Sequence, residues 1–121
     1  MKTLALFIVM MMSFADQPRK VLVFYNNEGK QQWESQMDVL KAAQSGIKER
    51  DINVESISFS PQNESKWKKW KVEGSDTFTF ILVGRDGGEK LRSSEVVKTD
   101  KLFGLIDAMP MRKNEVNEKN R

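Results

Sequence analysis

Lys20-Val21-Leu22-Val23-Phe24-Tyr25 runs without a polar interruption after Lys20, and Thr77-Phe78-Thr79-Phe80-Ile81-Leu82-Val83 is its counterpart later in the chain. In the second run Phe78, Phe80 and Leu82 fall on one phase of a two-residue repeat, and Ile81 and Val83 on the other. Apolar residues on both phases predict strands covered on both faces, which places both runs in the middle of a sheet.

Asn26-Asn27-Glu28-Gly29 punctuates the chain after the first run. Trp33, Met37, Leu40, Ala43 or Gln44 and Ile47 then recur at helical spacing, predicting a helix over 30–49. Asp51 to Phe59 reads as a strand in which Ile52 and Val54 share one phase and Ile57 and Phe59 the other, the mark of a bulge or an edge position. Ser60-Pro61-Gln62-Asn63 is a loop with helix-start chemistry, followed by two predicted turns over 64–72 that bury Trp67 and Trp70. Gly84-Arg85-Asp86-Gly87-Gly88 predicts a hairpin turn, because Asp86-Gly87 tolerates the positive φ of tight turns, and Glu89 to Arg92 a short polar edge strand. Thr99-Asp100 reads as the cap of a last helix with an apolar stripe of Leu102, Phe103, Leu105, Ile106 and Met109, ended by Pro110.

The resulting order is β-α-β-α-β-β-α. With a parallel start, an antiparallel hairpin at the end and right-handed crossovers, it predicts an α/β fold: a thioredoxin-like three-layer sandwich around a four-stranded mixed sheet.

At 121 residues the chain suits one domain. It has no Cys and no His, which removes disulfides, thiol nucleophiles, Cys/His metal sites and imidazole acid–base schemes. Met1-Lys2-Thr3, the apolar run Leu4 to Met12, and Ser13-Phe14-Ala15 read as a secretory signal peptide over 1–15, too short to span a bilayer. An uncleaved anchor or a buried strand is the alternative for that stretch. Export to a periplasm or beyond the cell is therefore expected, with a single domain over 16–112 and a charged, disordered tail over 113–121. Losing Lys2 with the leader takes Lys+Arg from 20 to 19 against 17 acids. A pI near 9.2 thus reflects a small excess rather than a cationic face built for nucleic acid.

Three groups of residues are candidates for function. Lys66-Trp67-Lys68-Lys69-Trp70-Lys71 reads either as two buried indoles with solvated lysines opposite, or as a binder of an anionic membrane surface, a glycan or a nucleic-acid strand. Arg85, Lys90 and Arg92 form an anion site if they point the same way, and alternation along a strand puts Lys90 and Arg92 on one face; the other reading is solvated edge charge. Asp107 and Arg112 flank Met109-Pro110-Met111 and are expected to pair or to satisfy a helix end, a structural role shared with Asp86, Gly87 and Pro110. Gly84-x-x-Gly87-Gly88 lacks the Lys-Ser/Thr of a phosphate loop. No cofactor motif and no paired-carboxylate chemistry emerge.

Phe80 to Arg92, with its Asp-Gly hairpin and Lys90-Leu91-Arg92, and Leu102 to Arg112, with Ile106-Asp107-Ala108-Met109-Pro110-Met111-Arg112, resemble a known family. It is the thioredoxin-like domain of unknown function of bacterial exported proteins, similar to a domain of vertebrate sushi-repeat X-linked and equarin-like secreted proteins. The resemblance covers about 19–115 and implies a peroxiredoxin-like fold with its role left open. In redox relatives a Cys pair occupies the slot held here by Asn26 to Gly29, and a cis-proline the position before the third strand, held here by Asp76-Thr77. The expectation is an exported, non-catalytic binding module for an unknown envelope or extracellular protein or an anionic surface. The alternative is a Cys-independent envelope enzyme.

Overall fold

A computed structural model describes residues 17–119. The signal peptide expected over 1–15 lies outside the described residues. Strand β1 (Arg19–Tyr25) leads through a 3-10 turn (Asn27–Gly29) into α1 (Lys30–Ala42) and α2 (Gln44–Glu49). Next come β2 (Ile52–Ser58), a 3-10 turn (Pro61–Asn63), α3 (Glu64–Lys69), the hairpin β3 (Phe78–Val83) and β4 (Glu89–Ser93), then α4 (Thr99–Asp107) and α5 (Pro110–Lys119).

The sheet order is β2-β1-β3-β4, with β1 parallel to β2 and antiparallel to β3. The two uninterrupted apolar runs are thus the central strands, and every residue of β3 is buried. β2 is at an edge and keeps an unbroken register with β1, so its change of phase reflects the edge position and not a bulge. The irregularity lies instead between Leu82 and Val83, opposite β4.

The alternation of β1 and β3 divides the core into two layers. Val21, Val23, Phe80 and Leu82 meet Leu40, Ile47, Leu102 and Ile106 of α1, α2 and α4 on one face. Leu22, Phe24, Ile81 and Val83 meet Trp67 and Val72 on the other. Helices therefore cover both faces.

Four expectations change. The helix over 30–49 breaks at Ala43, whose φ and ψ leave the helical region. The break lets α2 approach α4 so closely that a Cβ on Gly46 would lie 2.5 Å from the Phe103 ring. The last apolar helix begins at Thr99 after Lys98, with no side-chain cap, and ends at Asp107. Pro110 does not end it but opens α5, a position where its missing N–H has no helical partner to lose. The chain after Arg112, expected to be disordered, continues as helix to Lys119, because Arg112 and Glu115 have partners elsewhere in the fold that local composition does not reveal.

Candidate functional site

At the end of the sheet where β1 and β2 finish, the chain builds an open groove of about 740 Å³. Phe59, just past β2, donates its amide to Tyr25 O and is itself 54% exposed. The ring meets Trp67 edge-on, with centroids 5.0 Å apart. Trp67 is 2% exposed, packs edge-on against Phe24 and donates Nε1–H to the Ser58 carbonyl, so the groove floor is rigid core. Two residues past α3, Lys71 is left-handed (φ 56°) and turns the chain so that Val72 donates to Trp67 O and packs beside it.

Gly74, also in the lining, backs directly against the Phe59 ring, where a Cβ would come within 2.7 Å of it. Pro61 and the aliphatic stems of Lys68 and Lys71 complete the apolar lining, with Glu64 and Glu73 at the rim. Lys68 pairs with Glu64 at 3.1 Å. The Ser60 hydroxyl, also in the lining, has no hydrogen-bond partner among the described residues, and so does not supply the helix-start cap expected of it.

A smaller depression shares Phe59 and Gly74 and reaches Asn26, Asn27 and Glu28. The two loops that carry the redox hallmarks in relatives meet here. Asn26 donates its amide to Thr77 O and its Nδ2–H to Gly74 O, and Gly29 lies so close to Thr77 that a Cβ would overlap its carbonyl. Asn26 Oδ1 accepts from the Glu28 and Gly29 amides at 3.0 and 3.1 Å, satisfying the turn that starts α1. The Asn26–Gly29 slot is thus closed by a capping carboxamide, in a chain without cysteine. Among the described residues no cluster of carboxylates could hold a metal ion. The groove's chemistry is thus suited to seating an apolar group against Phe59, Trp67 and Val72, with charges only at its margin.

The lysine–tryptophan segment divides as the helical spacing implies. Trp67 is core and Trp70 half-buried against the same layer, while Lys66 pairs with Glu55 and Lys69 lies 5.6 Å from the Trp70 ring. Lys68 is the one lysine of helix α3 that faces the groove.

Arg85 and Lys90 line one small cavity, and Arg92 is not among its lining residues. The register passes from Leu91 opposite Leu82 to Glu89 opposite Val83, leaving Lys90 without a partner, so simple alternation fails. Lys90 pairs with Asp86 and lines a small cavity with Arg19 and Arg85, whereas Arg92 pairs with Glu89 and donates to the Trp70 and Lys71 carbonyls at the end of α3. Asp86 also accepts from the Gly88 amide, and Gly87 has φ 83°, as the hairpin turn requires. The Gly88 amide first, then Lys90, holds the Asp86 carboxyl below its ordinary value. Asp107 and Arg112 do pair, at 3.5 Å, but Asp107 is held more firmly by a two-pronged contact with Arg50, which lowers its carboxyl pKa.

Sequence reasoning missed Arg19 and Glu115, at the other end of β1. Arg19 is 1% exposed, and its guanidinium meets Glu115, which also receives Arg85. Burial by itself would raise the Glu115 carboxyl, but hydrogen bonds from Arg19 and then Arg85 outweigh it and hold the pKa at about 2. No sequence signal marks such a pairing across 96 positions. Phe59 and Gly74 were missed as site residues too, although the phase change in β2 had singled out Phe59.

Sheet order, covered faces and the altered Asn26–Gly29 slot define a thioredoxin-like protein without thioredoxin's reactive groups. The chain belongs to the family described as Domain of unknown function (DUF4174), whose model matches residues 10–115. Among solved structures it is similar to malaria parasite thioredoxin-2, at 22% identity and a TM-score of 0.59, over 76% of this chain and 84% of that one. It is also similar to the reduced 2-Cys peroxiredoxin of Plasmodium vivax, at 14% identity and 0.64, over 87% and 84%. A thioredoxin from Thermus thermophilus matches at 16% and 0.54, over 93% and 88%. At these identities the likeness is one of fold. No curated protein matches the chain.

Proposed function

We propose that this protein is an exported, non-catalytic binding module that holds an apolar side chain of a polypeptide partner in the groove of Phe59, Trp67 and Gly74. One observation carries the reading: an open apolar groove adjoins the loop pair that houses redox chemistry in relatives, yet Asn26 occupies that loop as a satisfied cap. An exposed aromatic over a rigid, close-packed floor suits recognition of a complementary apolar group. The anionic-surface reading has less support, because Lys66 and Lys68 already pair with Glu55 and Glu64.

Photo-crosslinking tests the groove. A photoreactive residue at position 59 is expected to form adducts with a polypeptide partner, and one at Leu105, exposed on α4, is not; equal labelling from both positions would overturn the assignment. A disulfide-exchange or peroxidase assay tests the non-catalytic part, since turnover above a buffer blank contradicts it. Export rests on the basic start and the Leu4–Met12 run. Mass spectrometry of the protein from its own host is expected to find a chain starting at Asp16, and a product retaining Leu4 to Met12 contradicts export.

A further inference from the structure

Helix α5 is held to the domain almost without apolar contact. From Met111 to Glu118 only Arg112 is buried, while Met111 and Val116 are exposed. The attachment is ionic: Arg112 reaches Glu49 and Asp107, and Glu115 lies between Arg19 and Arg85.

The geometry around Glu115 is specific. Arg19 Nη2–H donates to Oε2 at 2.7 Å and Nη1–H to Oε1 at 3.4 Å. Arg85 Nη2–H donates to Oε1 at 3.1 Å and Nε–H to Oε2 at 3.4 Å. Two guanidinium forks therefore clamp both oxygens of one carboxylate, an arrangement that matches a planar carboxylate better than a point charge.

The clamp is built without α5. Arg19 is fixed by β1 and donates to the Arg50 carbonyl, and Arg85 is fixed by the hairpin turn and by contacts to Gln17 O and Asp51. Arg19 Nε, fully buried, has no hydrogen-bond partner among the described residues. A cavity of about 230 Å³ lined by Arg19, Arg85, Lys90 and Met109 adjoins the clamp, and the first α5 residues, Pro110 and Met111, form part of its wall.

We propose that Arg19 and Arg85 form a carboxylate-binding site that Glu115 fills in cis, and that accepts an acidic side chain of a polypeptide when α5 lifts away. This site lies at the start of β1, six strand steps or roughly 20 Å from the groove at its end, and is independent of the reading given for that groove. Occupation by a tethered carboxylate, present at an effective concentration in the millimolar range, keeps weak external carboxylates out until α5 is displaced.

Chemical rescue tests it in the full chain. Glu115→Ala removes the cis ligand and leaves space for acetate between the two arginines. At neutral pH and matched ionic strength, replacing chloride with a few hundred millimolar acetate is expected to raise the Tm of E115A by about 4 °C more than that of wild type, whose filled site reports the general salt effect. Glu115→Gln, which fills the space with a neutral amide, is expected to follow wild type. Equal acetate responses in E115A and wild type overturn the proposal. Should E115A fail to fold in chloride, folding in acetate supports the site, and failure in both salts overturns it.

Discussion

Buried polar atoms decide more at the residue scale than the apolar positions do. Gln36 is 0% exposed and lies one place from Met37, the expected core position; its amide donates to Val97 O and accepts from Val97 N. That reciprocal pair fastens the segment before α4 to α1. Gln36→Leu leaves both backbone groups of Val97 buried and unpaired, so urea denaturation should show a loss of about 2–4 kcal/mol. Trp67→Ala removes a core indole and should cost about 3–5 kcal/mol, whereas Trp70→Ala, at a half-buried site, should cost clearly less. Equal effects at the two positions would contradict the two-layer packing. Lys71 holds a left-handed conformation that only glycine adopts freely, so Lys71→Gly should raise stability by about 1 kcal/mol.

Among the elements, α5 is the one whose attachment depends on charge. Glu115 has a folded pKa of about 2 against an ordinary 4.5. A depressed carboxylate contributes stability that is fully present above its unfolded value and is lost as pH falls through the folded one. Melting temperature should therefore be flat above about pH 5 and decline between about pH 4.5 and 2. In E115Q the part of that decline due to this group should vanish, a difference that thermal melts at pH 3 and pH 7 resolve. Asp107 and Asp86, also depressed, contribute in the same direction and keep some of the decline in the variant.

On the scale of the whole molecule, the sheet separates the two proposed sites: the apolar groove at the finish of β1 and the arginine clamp at its start. Residues this far apart with no shared partner should respond independently, so the stability changes of Phe59→Ala and Glu115→Ala should add within about 0.5 kcal/mol in the double mutant. What was legible in the chain is what depends on local pattern. The apolar runs 20–25 and 77–83 determine two central strands because a strand without a polar phase must be covered on both sides; Asp86-Gly87 determines the hairpin because its backbone needs a positive φ. Together with the helical stripes they determine the thioredoxin-like sandwich, and the missing thiols determine that its usual chemistry is absent. Tertiary structure alone decided the rest. It built the groove by bringing Gly74 against Phe59, split Lys90 from Arg92 through an irregularity in strand pairing, and turned an apparently free tail into a helix by setting Glu115 between Arg19 and Arg85. Each of these depends on which distant groups meet, and side-chain charge or size along the chain carries no record of its partner until the sheet has fixed the distances.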